Sequence, residues 1–206
     1  IDPVRYLSNF STGKMGFALA EAAAEAGAKV SLITGPVSLS TPDRVERIDV
    51  ISAEQMLVAA QKIAASASIF IAAAAVADFR PSAASDQKIK KTSDIETMRL
   101  DLVKNHDILM SVSESEHSLF CVGFAAETEN LLAHARAKLA RKSLNMIVVN
   151  DVSRSDIGFA ADDNEVVVIT PKGAINLEKA SKRHLARRLI QLIAEQVSPT
   201  DNPDSA

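Results

Sequence analysis

Three clusters in this 206-residue chain carry the side-chain types that polyphosphate chemistry uses. The first is Arg5-Tyr6-Leu7-Ser8-Asn9-Phe10-Ser11-Thr12-Gly13-Lys14-Met15-Gly16, which runs into the helical pattern Phe17 to Ala26. Ser8, Asn9, Ser11 and Thr12 set side-chain oxygens just ahead of that helix, where the N–H groups of a first turn need acceptors. Gly13 and Gly16 let the backbone come close to a partner, and a helix N-terminus suits a phosphate or carboxylate. The second cluster is Asp78, a carboxylate that follows the small residues Ala72 to Ala75 at the end of an apolar run. The third is a set of lysines. Lys88, Lys90 and Lys91 lie in a polar stretch, and Lys138 and Lys142 are four apart, so both ammonium groups project from one helical face toward a shared anion. A capped helix with close-packed glycines, a strand end and solvated charge account for the same residues without a ligand.

Two phosphate-binding motifs are excluded. A P-loop needs Gly where Ser8 stands and Ser or Thr where Met15 stands, and the dinucleotide fingerprint needs a Gly ahead of Gly13. A net charge of −3, with 4% aromatic residues and no Trp, argues against non-specific nucleic-acid binding, so any anion site is local. The single Cys121 sits in an apolar run and is expected to pack as a small hydrophobe, consistent with a reducing, cytoplasmic setting. His106, His117, His134 and His184 show no ligand spacing. No apolar run reaches the length of a membrane span.

An α/β sheet is what would position these clusters. Apolar runs at Lys29 to Thr34, Val45 to Ile51, Ser68 to Ala75, Leu119 to Ala126 and Asn145 to Val149 predict strands, and Thr97 to Val103 alternates as one. Helical spacing predicts helices from Phe17 to a stop at Gly27 and across Ala53 to Ala65. A third helix begins at Glu127-Thr128 with Leu131, Leu132, Ala135 and Leu139 inward, and Asp107 caps a short one. Phe79 to Thr92 is expected to be a basic flap or surface loop, and Val152 to Asp163 a polar loop. Glu165 to Thr170 and Ala174 to Leu177 form a hairpin, followed by a helix over Ser181 to Val197. The expected fold is a doubly wound, Rossmann-like, mostly parallel α/β sheet with a C-terminal β-hairpin extension. Ligands in such sheets lie beyond the carboxyl ends of strands, where Ala72 to Asp78 fall. Residues 1–198 make one domain and 199–206 a disordered tail.

Six stretches together resemble one family, the bacterial phosphopantothenoylcysteine synthetases of coenzyme A biosynthesis. They are Asp2-Pro-Val-Arg-Tyr-Leu-Ser-Asn-Phe-Ser-Thr-Gly-Lys-Met-Gly16, Ala74-Ala-Val-Ala-Asp-Phe79, Lys88-Ile-Lys-Lys91, Lys104-Asn-His-Asp-Ile108, Val122-Gly-Phe-Ala-Ala-Glu-Thr128 and Asn150-Asp-Val152, in family order. The resemblance implies a ligase that uses CTP and Mg²⁺ to activate 4′-phosphopantothenate as an acyl-cytidylate, which the amine of L-cysteine then converts to an amide. It implies that Lys88 acts in the first step and that Asn9 and Arg5 serve the second. It further implies that Ala72, Ala73, Ala74, Asp78, Phe124, Lys138 and Lys142 contact the nucleotide or its metal, with Asp78 the metal ligand, and that His106, Asp107, Ile108 and Leu109 meet the cytosine. The sequence departs from the family at His106, where Pro is usual. Members also carry a strand ahead of the Asp-Pro-Val-Arg segment, so the sheet here is expected to lack one. Homodimers are the family's habit, and many bacterial members are fused behind a flavin-dependent decarboxylase domain. A nicotinamide-dependent oxidoreductase and a non-catalytic nucleotide-binding assembly domain are the competing classes. The missing Gly-x-Gly turn counts against the former.

Overall fold

Period-two burial along three neighbouring strands organises the core. Val122, Met146, Val148, Val166 and Val168 point to one side, while Cys121, Ala125, Ile147, Val149 and Ile169 point to the other, and all ten are at most 5% exposed. Alternation of this kind buries both faces of a sheet only if helices cover each. The computed structural model describes residues 1–90, 97–114, 119–127, 131–151 and 161–197.

In chain order the elements are α1 Lys14–Glu25, β1 Val30–Thr34, β2 Val45–Asp49, α2 Ala53–Ala64, β3 Ile69–Ala72, β4 Phe79–Pro81, β5 Leu102–Lys104 and α3 Ile108–Ser113. There follow β6 Phe120–Glu127, α4 Leu131–Arg141, β7 Met146–Asp151, β8 Asp163–Thr170, β9 Gly173–Ser181 and α5 Lys182–Val197. The main sheet has the order β3-β6-β7-β8-β9, parallel through β7 and antiparallel in the closing hairpin. One face carries α1 and α5, whose Leu19, Leu185 and Leu189 enter the first core; full burial of a leucine such as Leu189 contributes about 1.5–3 kcal/mol. The other face carries α2, α3 and α4 through Ala60, Val112 and Ala135.

The parallel pair β1-β2 is not hydrogen-bonded to the main sheet. It nevertheless lies under the same helices, for α1 packs on β1 and shares a core with Ile71 and Ala73, while α2 shares the second core with Ile33 and Phe70. Two apolar parallel strands, β1 and β3, thus flank a break in one layer, and Ile69 of β3 is 37% exposed.

Gly27 ends α1 as its spacing predicts. Its φ of 90° is left-handed, and the N–H groups of Gly27 and Ala28 donate to the carbonyls of Ala24 and Ala23, closing the last turn. The start of α1 differs from expectation. Gly13 is the capping residue at φ 78° and has no side chain to cap with, while the Asn9 oxygen accepts from the Ser11 N–H at 2.9 Å ahead of the helix. Glu127 extends β6 rather than opening a helix, since its backbone pairs with Asp151. Leu132 is 48% exposed; only Leu131, Ala135 and Leu139 of that set face the core. The strand foreseen at Thr97 to Val103 is confined to β5, and its partner β4 rises from the stretch expected to be loop. Cys121 is buried, and burial pushes its thiol up, in keeping with a packing role. Lys91, most of the loop from Val152 and the tail lie outside the described residues.

Candidate functional site

The segment that leaves β3 is tied to the opening stretch and to the start of α3 by hydrogen bonds from two asparagines. The Asn9 amide donates to the Ala75 carbonyl, fixing the opening stretch on the small-residue segment after β3. Gly16 of α1 faces the same segment, where a Cβ would make an ordinary contact at 3.9 Å with the Ala73 methyl. The Asn105 amide donates to the Ala77 carbonyl at 2.8 Å and its N–H to the Asp78 carbonyl at 2.7 Å. Arg80 bonds the Lys104 carbonyl and the Asn105 side chain. Residues 72–78 and 104–109 therefore form one rim beyond the carboxyl end of β3, with the Asp78 carboxylate and His106 exposed on it.

Asp107 caps α3, accepting from the Met110 N–H at 3.1 Å, and pairs with the Lys142 ammonium at 2.7 Å. The segment that begins α3 and the basic end of α4 are thereby one unit. Burial opposes ionisation of Asp107, but the ammonium and the N–H outweigh it and hold its carboxyl below the ordinary value. The contribution of the pair is therefore fully present above the unfolded carboxylate value, about 3.9, and is lost as pH falls through the lower folded one. Asn keeps the cap but removes the charge, so Asp107→Asn is expected to cost about 0.2–1 kcal/mol at neutral pH for this part-exposed pair. In denaturant titrations from pH 7 to 2.5 the difference from wild type should shrink toward the acid end; a constant difference would refute it.

Leu109 reaches β6, where a Cβ on Gly123 would stand 2.9 Å from both Leu109 Cδ2 and Leu144 Cδ1. Both atoms are ends of flexible side chains, so Gly123→Ala is expected near the low end of overpacking costs, about 1 kcal/mol. Gly35→Ala, with nothing within 4 Å, is the control and should change the denaturation midpoint little. Equal midpoints for the two variants would contradict the close approach. Phe124, next along β6, is half-buried against the α1 and α5 side.

Arg5 and Lys88 are brought together at a second point. The Arg5 guanidinium donates to the Ile89 carbonyl at 3.1 Å, so Lys88 is held one residue from Arg5 with its own side chain exposed. Lys14, at the start of α1, pairs with Asp162 at 2.6 Å. No hydrogen bond or ion pair joins Lys88 to Asp78 among the described residues, and Lys138 is half-buried on α4. Two grooves, of about 660 and 530 Å³, are lined by residues of β2, its flanks and α2 and share no residue with these loops. Asp2 and Asn105 were within the motif stretches without a role; Asp-Pro and Asn in a polar link are turn signals that point to both.

An α/β sheet with helices on both faces and a loop-built polar rim beyond β3 defines a Rossmann-like domain. The chain belongs to the family described as DNA/pantothenate metabolism flavoprotein C-terminal domain, whose match covers residues 1–197. It is 50% identical over 196 residues to the coenzyme A biosynthesis bifunctional protein CoaBC of Vibrio parahaemolyticus, covering 95% of this chain and 49% of that protein. The Vibrio cholerae protein of the same name is 50% identical over 198 residues, covering 96% and 50%. The chain thus spans about half the length of these curated relatives. A crystal structure of the C-terminal domain of CoaBC matches with a TM-score of 0.80 at 35% identity, covering 96% of this chain and 89% of that one. Among the described residues no helix is long and apolar enough to cross a membrane.

Proposed function

We propose that this domain joins 4′-phosphopantothenate to L-cysteine, using CTP through an acyl-cytidylate and releasing pyrophosphate and CMP. The observation that carries this reading is the bonding of the motif segments to one another: Asn9 to Ala75, Asn105 to Ala77 and Asp78, Asp107 to Lys142, and Arg5 to the Lys88 segment. In the first step the pantothenate carboxylate attacks the α-phosphorus of CTP and the bond to pyrophosphate breaks. Lys88, Lys138 and Lys142 would neutralise charge on the triphosphate and leaving group, which is where cations lower such a barrier. In the second step the cysteine amine attacks the acyl carbon, loses a proton and expels CMP. Asn9 would donate to the oxyanion that forms, and Arg5 would orient the acyl group. Cytosine would lie against His106 to Leu109, whose position Asp107 fixes by capping α3.

Magnesium commonly takes one or two protein carboxylates and draws its other ligands from phosphate and water. The exposed carboxylate of Asp78 on this rim fits that pattern, since the other rim carboxylate, Asp107, is taken by Lys142, and no cluster of three ligating residues occurs among the described residues. When bound, the ion would supply further charge neutralisation on the triphosphate. A homodimer, a decarboxylase domain on the same polypeptide and a cytosolic location belong to the same reading, as does a further strand filling the break between β1 and β3. Pyrophosphate release with CTP, ATP, GTP and UTP, each with and without 4′-phosphopantothenate, tests it. Release is expected with CTP and only when the acid is present. CTP binding without release would favour a non-catalytic domain, and equal use of ATP would remove base selection from the His106 segment.

A further inference from the structure

Asp2 gathers five donors on one carboxylate. Oδ1 accepts from the backbone N–H groups of Val4 and Arg5, both at 2.9 Å. Oδ2 accepts from Arg5 Nε at 3.0 Å, from Arg5 Nη2 at 2.5 Å and from the Ile89 N–H at 3.1 Å. The side chain is 0% exposed. The same two segments meet again where the Ser85 N–H donates to the Ile1 carbonyl at 2.9 Å and Arg5 Nη2 to the Ile89 carbonyl at 3.1 Å. Ser85 Oγ also donates to the Gln87 carbonyl at 2.6 Å. Lys88 therefore sits between two fixed points, with backbone held on either side and only its side chain left to move.

We propose that Asp2 is a positioning residue: one carboxylate fixes both the guanidinium of Arg5 and the backbone beside Lys88, so the groups assigned to the two half-reactions are set by a single clamp. A surface ion pair would not need this arrangement. An exposed Asp–Arg pair is worth little, whereas a buried carboxylate bonded by five donors from two segments fixes their relative geometry. The charge is well matched to that role, for the Arg5 guanidinium holds the Asp2 carboxyl far below the usual range even though burial opposes it. The inference rests on the ligase reading for its catalytic half and on geometry alone for the clamp.

Two variants and two readouts test it. Asp2→Asn keeps the shape but puts an NH₂ group where one acceptor stood, and Ile89→Pro removes the N–H from the exposed side of the clamp without touching Asp2. Hydrogen exchange at the Ile89 amide, which needs no turnover, should be at least about tenfold faster in Asp2→Asn, because the bond that protects it is weakened. Both variants should lower kcat for pyrophosphate release by about 10–100-fold while changing KM for CTP less than about threefold, as misplacing a catalytic group does. Unchanged exchange overturns the clamp; faster exchange with unchanged kcat overturns its positioning role. Should Asp2→Asn fail to fold, the kcat of Ile89→Pro decides alone, wild-type turnover overturning the proposal. A wild-type chain that releases no pyrophosphate refutes the ligase reading and the catalytic half with it, and the exchange measurement still judges the clamp.

Discussion

Replacing Lys88 with Gln is expected to cut sharply the pyrophosphate release from CTP and 4′-phosphopantothenate in the absence of cysteine. The expected loss is about 100–1000-fold, the scale seen when one group that stabilises developing charge is removed from a preorganised site. Gln is one bond shorter than Lys but keeps a donor, so what disappears is the positive charge together with a little of the reach. Lys88 is exposed, and the bonds that hold its segment come from Asp2, Arg5 and Ile1 and end on Ser85 and Ile89, not on the lysine side chain. Its replacement should therefore leave stability within about 0.5 kcal/mol, as surface substitutions generally do. The measurement is single-turnover pyrophosphate release beside a melting curve. Lys91→Gln, in the same basic stretch, should be milder. Near wild-type release by Lys88→Gln would remove this lysine from the reaction, and an equal loss in both variants would reduce its role to general charge.

The parts of this fold that were legible are those where a local pattern meets a buried environment. β6, β7 and β8 alternate because each separates two cores, and Gly27 marks the end of α1 because a left-handed residue is needed there. The Asp107 cap was legible for the same reason: a short acceptor stands directly before the apolar turn it serves. What could not be read depends on partners distant in sequence. β4 and β5 are three-residue strands that exist only through each other, with Phe79 opposite Lys104. The α1 start looked like a cluster of caps, but Asn9 is drawn to Ala75, across 66 positions, and Gly13 takes the turn. Lys142 and Asp107 each carried an expected contact, yet nothing local indicates that they bind one another. Asp2 is the extreme case. Its turn with Val4 and Arg5 is local, whereas the bond that gives it a role reaches Ile89 across 87 positions.

Asn9→Asp is expected to separate the two half-reactions of the proposed ligase. One N–H of the wild-type amide donates to the Ala75 carbonyl, and the Oδ1 accepts from the Ser11 N–H. An amide carries two N–H donors, so a second remains to meet the oxyanion of amide formation. Aspartate keeps the acceptor for Ser11 but has no donor for either task, and it adds a negative charge beside an acyl phosphate that is already anionic. Two unit charges 4 Å apart repel by about 1 kcal/mol in water and about 4 kcal/mol at an effective dielectric of 20. The exposure of Asn9 favours the lower figure, about fivefold in rate, and loss of the oxyanion donor adds about 100-fold. Carboxylate attack on CTP uses neither group, so pyrophosphate should still be released once per site. With cysteine present, mass spectrometry should then find the acyl-cytidylate accumulating on the variant and not on the wild type. Normal product yield without intermediate would take Asn9 out of the second step. Loss of both half-reactions would mean that the tether to Ala75, and not an oxyanion donor, is what Asn9 supplies.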